Sequence, residues 1–271
     1  MKALESTDLL KGSIWKSILI FSLPLLVGNL FQQFYNVVDA AIVGQTLGSY
    51  ALAAVGASSS VQFLILGFCM GICQGFAIMV SQSYGAKRLD EMQTYIYAGA
   101  VWTAITAFVV SILVVVFCAD ILHILQVNDE IFKDAYAYLV VIFAGIPFTL
   151  LYNYLSAILR AIGDSKTPFF FLAFSAVLNI GLDFFCILVL KWGCAGAAIA
   201  TIFAQAVSGI LCFLLIAFKV NVLHIPKSSR YVDKQHSLKL LAMGVPMGLQ
   251  FSITAIGSMV MQSANNALGT I

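Results

Sequence analysis

Two acidic residues interrupt stretches of the sequence that are otherwise apolar. Asp39 and Asp183 lie inside runs long enough to cross a bilayer, whereas the other ten acidic residues fall in connections or at the ends of such runs. A charged carboxylate in mid-membrane costs roughly 2.5–3.5 kcal/mol even on the milder insertion scale. Because no Lys, Arg or His lies within these runs, we expect the two carboxyl groups to hold a proton or a cation.

Polar side chains accompany the first of these acids at helical spacing. Gln32, Asn36 and Asp39 fall at positions i, i+4 and i+7, so an α-helix aligns them along one side. Tyr35 lies about one turn before Asp39. The first apolar run is therefore predicted to carry a polar stripe.

The second acid also has neutral polar neighbours. Asn179 precedes Asp183 by four residues, and Thr201 enters from the outer end of the next run, at a depth that matches Asp183. The helices that carry the two acids are expected to run outward in the same direction, so one cavity could hold the whole group. Carboxylate, amide and hydroxyl oxygens suit both H⁺ and Na⁺, and the sequence does not choose between these ions.

Hydrogen bonding that merely joins helices is the alternative role for these side chains. It contributes only ~0.6 kcal/mol per bond in membranes on average, and it needs no ionisable group. The two carboxyl groups therefore favour a functional site, whereas Asn36 or Thr201 taken alone favours simple helix packing.

The composition is that of an integral membrane protein. Hydrophobic residues make up 61% of the 271 residues and charged residues 10%, against roughly 45–50% and 25% in soluble domains. The formal charge of +2 is balanced, and no Lys/Arg cluster alternates with aromatic residues, which excludes a nucleic-acid partner. Most of the exterior is expected to face the lipid bilayer.

The apolar runs predict seven transmembrane helices, each close to or above the ~20 residues that cross a bilayer. The predicted fold is an all-α membrane protein with a six-helix transporter lobe and a seventh helix. The predicted spans are residues 15–44, 50–83, 92–118, 134–160, 167–190, 194–218 and 237–268.

The basic residues predict the orientation of these spans. Twelve of the fourteen lie at the N-terminus or in alternate connections, and only Lys133 and Lys191 lie on the opposite side. The positive-inside rule then places the N-terminus in the cytoplasm. On the second span, Gly67, Gly71 and Gly75 recur every four residues, which predicts that another helix approaches closely there.

The seventh apolar run resembles the first one, as if a second structural unit began there. Pro24 and Pro246 are 222 residues apart, and each follows a basic stretch, as expected when a transporter is built from internal repeats. We therefore expect one full lobe and the start of another. The predicted units are a cytoplasmic N-terminus (1–14), a six-helix lobe (15–218), a cytoplasmic connection (219–236) and the first helix of an incomplete second lobe (237–271).

Several motifs resemble the N-terminal half of multidrug and toxic compound extrusion (MATE) transporters. The resemblance covers essentially the whole chain. The motifs are Leu23-Pro24, Tyr35-Asn36-Val37-Val38-Asp39, Gly44 with Leu47-Gly48, Ser81-Gln82-Ser83-Tyr84-Gly85-Ala86-Lys87-Arg88, Arg160-Ala161-Ile162-Gly163-Asp164-Ser165-Lys166-Thr167-Pro168 and Leu178-Asn179-Ile180-Gly181-Leu182-Asp183.

The resemblance implies half of a twelve-helix, two-lobe fold that exports small organic cations across the cell membrane in exchange for H⁺ or Na⁺, with no cofactor beyond that ion. It implies a cation site in the N-terminal lobe and a cavity wall around it, and it leaves the C-terminal lobe as a missing partner. The implied site residues are Asp39, Asn179, Asp183 and Thr201, with Na⁺ as a candidate at the first three, and the implied lining residues are Gln32, Tyr35, Asn36 and Tyr138.

Two other functions are alternatives to the transport of cations. A lipid or polysaccharide-precursor flippase of the same superfamily would need basic residues in its cavity to meet phosphates, and none lies within a span. An intramembrane aspartyl protease is disfavoured because neither Asp39 nor Asp183 follows a Gly, and the H-E-x-x-H and G-x-S-x-G motifs are absent. The chain is therefore not expected to be an enzyme, although for this segment alone a helix-packing role without transport stays open.

Overall fold

The structure is a computed structural model that describes residues 14–125 and 127–267, with side chains over 15–125 and 127–257. Within these residues the chain is helical and contains no strand, which confirms the predicted all-α class. The α-helices are α1 (Ile14–Leu47), α2 (Ser49–Gly85), α3 (Leu89–Val116), α4 (Cys118–Ile124), α5 (Asp129–Ala144), α6 (Ile146–Ala161), α7 (Lys166–Phe184), α8 (Gly193–Lys219) and α9 (Lys234–Ala267).

Six of these helices are long and apolar enough to cross a membrane, and α5 and α6 together form a seventh, bent span. The number of predicted spans is therefore matched within the described residues. The short helix α4 was not predicted. The first span also runs further than predicted, because the helix continues to Leu47 and ends only where Gly48 adopts a φ of 91°, a left-handed conformation that favours glycine.

The fourth predicted span, 134–160, is two helices rather than one. The chain bends by 48° between α5 and α6, where Pro147 lies in the first turn of α6 and has no N–H to donate. A Cβ on Gly145 would overlap the side chain of Ile202 on α8. The glycine therefore lets α8 pack into the bend.

Helix α2 occupies the centre of the bundle, and α1 lies at its edge. The neighbours of α2 include α3, α5, α6 and α9, whereas α1 packs mainly along α7 and α2. The opposite face of α1 is exposed and apolar, with Leu19, Leu23, Leu30 and Val37 more than half exposed. Only one side of α1 is therefore held by the described part of the chain.

The predicted glycine stripe of α2 is a contact surface for α9. A Cβ on Gly75 would lie 2.5 Å from the Cα of Gly244, and one on Gly71 would lie 2.7 Å from the Cα of Gly248. At Gly67 a Cβ would meet its neighbour at an ordinary 3.7 Å. The prediction of a close helix approach is thus confirmed, and the approaching helix is the one predicted to begin the second lobe.

Candidate functional site

Helices α1 and α7 pack side by side and bring the two intramembrane acids together. Asp183 is fully buried on α7, and Asp39 is partly buried on α1. Their carboxyl groups lie within hydrogen-bonding reach of each other. Two ionised carboxylates offer only acceptors, so this contact needs a proton or a cation between them.

Asn179 links Asp183 to helix α8. Its amide satisfies both neighbours when Nδ2 donates to Oδ2 of Asp183 at 2.9 Å and its oxygen accepts from the hydroxyl and backbone N–H of Thr201 at 3.2 and 3.1 Å. The opposite orientation leaves a 3.5 Å contact between Nδ2 and Asp183, so we assign the first one. The amide thereby holds one oxygen of Asp183 in a fixed direction.

One oxygen of the pair is left without a partner among the described residues. Oδ1 of Asp39 is buried and makes no hydrogen bond to the described residues. An unsatisfied buried acceptor is costly, and a carboxylate more so. A proton on this carboxyl group, or a cation beside it, would remove that cost.

Two tyrosines lie beside the acid pair and its neighbours. The hydroxyl of Tyr35 on α1 lies within hydrogen-bonding reach of Thr201. Tyr138 on α5 is 5% exposed, lies within electrostatic range of both acids, and its hydroxyl makes a long 3.5 Å contact with Oε1 of Gln62 on α2. The cluster therefore contains side chains from five helices, namely α1, α2, α5, α7 and α8.

The other two predicted lining residues lie outside this cluster. Asn36 is exposed on α1, and its amide donates to Gln33 at 3.2 Å, while Gln32 is half-buried further along the same helix. The structure brings neither side chain to the acid pair. A lining role on the far side of α1 stays a prediction for both.

Sequence reasoning missed two glutamines. Gln62 contacts Tyr138, and Oε1 of Gln205 on α8 is buried with no hydrogen bond to the described residues. Gln205 follows Thr201 by four residues, which could have indicated that it shares the same helix face. Gln62 carried no comparable signal, because its neighbours in the sequence are apolar or small.

The helix that carries Asp183 widens directly after it. Residues Phe185–Val189 form a π-helical turn, and the N–H of Leu190 donates to the carbonyl of Phe185 at 3.1 Å. The fifth predicted helix, 167–190, is therefore not α-helical to its end. Such turns are rare and occur frequently at functional sites.

The donor set suits a proton or an alkali cation. It consists of two carboxyl groups, one amide and hydroxyl groups, and neither acid forms an ion pair within the described residues. In the same part of the chain, no three His, Cys, Asp or Glu side chains converge as they would around a transition metal. Such an arrangement can take up and release one positive charge inside the membrane.

Known proteins match this chain along most of its length. The sequence profile of the MatE family matches residues 24–185. The probable multidrug resistance protein YpnP of Bacillus subtilis is 32% identical over 269 residues, which cover 98% of this chain and 59% of YpnP. The multidrug export protein MepA of Staphylococcus aureus is 23% identical over 252 residues, which cover 93% of this chain and 56% of MepA.

Solved structures share the fold. An outward-facing multidrug resistance MATE family transporter of the MOP superfamily aligns with a TM-score of 0.90 at 23% identity, over 99% of this chain and 60% of that one. A MOP superfamily transporter from Pyrococcus furiosus, described as having a binding pocket of reverse polarity, aligns with a TM-score of 0.89 at 24% identity, over 97% and 58%. The chain thus spans a little over half the length of the relatives it matches.

Proposed function

The chain belongs to the MatE family, and we propose that it is the N-terminal portion of a secondary active transporter that exports organic cations in exchange for H⁺ or Na⁺. The observation that carries this proposal is the contact between the carboxyl groups of Asp39 and Asp183. The names of the multidrug resistance and export proteins above support efflux as the activity.

The acid pair offers a way to couple ion binding to movement. A proton or Na⁺ between the two carboxyl groups stabilises the packing of α1 against α7, and its release leaves two like charges that repel. An ion that binds one arrangement more tightly shifts the equilibrium toward it. Since α1 is held on only one side by the described chain, α1 is the helix that this repulsion would displace.

Transport by this mechanism requires a second lobe. Alternating access works by one repeat moving against another around a shared site, and the described residues supply one lobe and α9. We expect the 271-residue chain alone to catalyse no efflux. Robust drug export by this chain without a complementing C-terminal half would contradict the two-lobe mechanism.

An acidic site favours cations over phosphates as cargo. The cluster contains two carboxyl groups and, within the described residues, no basic side chain pairs with either of them. A lipid or polysaccharide-precursor flippase would be expected to present positive charge to a phosphate. We therefore place this function second, and we propose neither enzymatic activity nor a cofactor beyond the coupling ion.

We further propose that the chain lies in the cell membrane with its N-terminus in the cytoplasm, since twelve of fourteen basic residues fall on that side. Ser49 follows α1 and Ser228 lies between α8 and α9, and both are exposed. A thiol reagent confined outside the cell should label the Ser49→Cys variant and leave the Ser228→Cys variant unlabelled. The reverse pattern would overturn the topology.

The coupling role can be tested in proteoliposomes that contain the full-length two-lobe transporter. We expect Asp39→Asn and Asp183→Asn each to abolish ethidium efflux driven by an imposed pH or Na⁺ gradient, because Asn keeps the shape of Asp but cannot exchange a proton. Asp90→Asn, at an exposed acid near the start of α3, is the matched control and should transport normally. Wild-type efflux by both intramembrane variants would show that the carboxyl groups are structural.

A further inference from the structure

A deep groove opens on the side of the bundle formed by α3, α6 and α8. Its volume is about 730 Å³, within the range of ~300–1,000 Å³ typical of sites that hold small molecules. None of the residues of the acid cluster lines it. The groove is therefore separate from the site proposed for the coupling ion.

The length of the groove matches one leaflet of a bilayer. Its wall on α3 extends from Ile96 to Phe108, a rise of about 18 Å at 1.5 Å per residue. The hydrocarbon core of a bilayer is ~30 Å thick, so one leaflet accounts for about half of that. A lipid chain that enters at the Ile96 end would reach Phe108 near mid-membrane.

The walls of the groove are mostly apolar, and three of its aromatic side chains are exposed. Phe108, Phe148 and Phe213 line it from three different helices, and each is between 45% and 59% exposed. Exposed aromatic side chains around a concave surface in a membrane segment face lipid rather than water. An acyl chain would fill this space against mostly apolar side chains. The hydroxyl of Thr103, which also lines the groove, is already buried without a hydrogen-bond partner among the described residues, so the chain would take no hydrogen bond from it.

A cationic side chain, that of Arg230, also lines the groove. Arg230 lies in the connection between α8 and α9, and its Nε donates to the carbonyl of Ile225 at 3.1 Å. The two terminal nitrogens of the guanidinium make no hydrogen bond to the described residues, and no carboxylate among those residues pairs with it. The acid that follows three residues later, Asp233, is engaged by the ring of His236 at 2.6 Å.

We propose that this groove binds an anionic phospholipid of the cytoplasmic leaflet, with one acyl chain between α3, α6 and α8 and the phosphate against Arg230. The guanidinium can make two parallel hydrogen bonds to phosphate oxygens, and basic pockets at the cytoplasmic ends of membrane helices bind anionic head groups. The assignment to this leaflet follows the predicted topology, which puts the α8–α9 connection in the cytoplasm.

Such a lipid would join the lobe to the segment that leads into α9. The groove is lined by three helices of the lobe and by Leu223, His224 and Arg230 of the connection. His224 is itself tied to the end of α8, because its ring contacts the carbonyl of Ala217 at 2.6 Å. A ligand that binds only the folded arrangement stabilises it by mass action, so the lipid should raise the melting temperature.

Native mass spectrometry of the purified full chain in a neutral detergent tests this proposal, with phosphatidylglycerol or phosphatidylcholine titrated into the sample. We expect phosphatidylglycerol to be retained more tightly than phosphatidylcholine. Arg230→Gln should weaken phosphatidylglycerol binding about fivefold, and Arg230→Lys should weaken it less. Arg88→Gln is the matched control, because Arg88 is an exposed basic residue on the same side that does not line the groove.

A second variant fills the groove itself. Ala104 lines the groove and is exposed, so Ala104→Trp should reduce retention of both lipids, with a monodisperse elution profile as the check on folding. Equal retention of phosphatidylglycerol by wild type and Arg230→Gln would overturn the proposal. Retention of phosphatidylcholine as tight as that of phosphatidylglycerol would also overturn it, since the groove would then accept any apolar chain.

Discussion

Two helix contacts, α1 with α7 and α2 with α9, are built in opposite ways. At the α1–α7 contact two carboxyl groups meet and need a shared proton or cation. At the α2–α9 contact glycines meet, and added Cβ atoms at Gly71 and Gly75 would lie 2.5–2.7 Å from the facing glycine Cα atoms. We therefore expect the first contact to depend on the ionic conditions and the second to depend only on shape.

This difference indicates which contact can respond to an ion gradient. Packing between glycines is driven by van der Waals contact and is insensitive to pH or Na⁺. The contact between the acids should become unfavourable if a bridging positive charge leaves, because two like charges then face each other. We therefore expect α9 to stay on α2 while α1 changes its position relative to α7.

The largest expected effect comes from filling the glycine contact. Gly75→Ala puts a methyl group 2.5 Å from the Cα of Gly244, so the two helices must move apart, at a cost of about 1–3 kcal/mol. We expect a clear decrease in the melting temperature of the purified chain. Gly67→Ala is the control, because its methyl group would make an ordinary 3.7 Å contact. Equal melting temperatures for the two variants would show that the helices do not touch there.

A second experiment separates the two contacts by their dependence on pH. Cysteine pairs across α1 and α7 should form disulfides readily at low pH and less readily at high pH without Na⁺, since removal of the bridging proton leaves two like charges. Asp39→Asn should abolish this dependence, because Asn offers a donor to Asp183 at every pH. Cross-linking across α2 and α9 should not change with pH in either protein. A parallel change at both contacts would show that the packing of α2 against α9 also depends on pH.

The smallest expected effect is at Asn179, which holds Asp183 without carrying a charge. Asn179→Ala removes the hydrogen bond to Asp183 and the link to Thr201, but it leaves both carboxyl groups in place. We expect the α1–α7 cross-linking midpoint to shift in pH while a pH dependence persists. Asn153→Ala is the control, since among the described residues the side chain of Asn153 bonds within its own helix, to the carbonyl of Thr149.

The features of this fold that follow from the pattern within single helices could be predicted from the sequence. The number of spans follows from the apolar runs. The proximity of Asp39 and Asp183 was expected because the helices that carry them run in the same direction across the membrane. The glycine stripe on α2 predicted a close neighbour because small side chains every four residues share a face. Each of these inferences needs only the residue pattern of a single helix and the thickness of the bilayer.

The remaining features depend on contacts between helices that are distant in sequence. The close approach of Ile202 to Gly145 is one of them, and nothing in the run 134–160 alone indicates that contact. Gln62 meets Tyr138 across α2 and α5, 76 residues apart. The orientation of Asn36 away from the acids likewise follows from how α1 is rotated against α7, which periodicity alone leaves undetermined.

The connection between α1 and α2 constrains any motion of α1. Only Gly48 separates the two helices, and α2 lies at the centre of the bundle, so the C-terminal end of α1 is tethered and can act as a pivot. The N-terminal end of α1 begins 33 residues earlier, at Ile14, about 50 Å away at 1.5 Å per residue. A small rotation of α1 about Gly48 would therefore displace its N-terminal end much further than the residues near the pivot. Asp39 lies near the pivot, where a slight change in its separation from Asp183 would become a large displacement at Ile14.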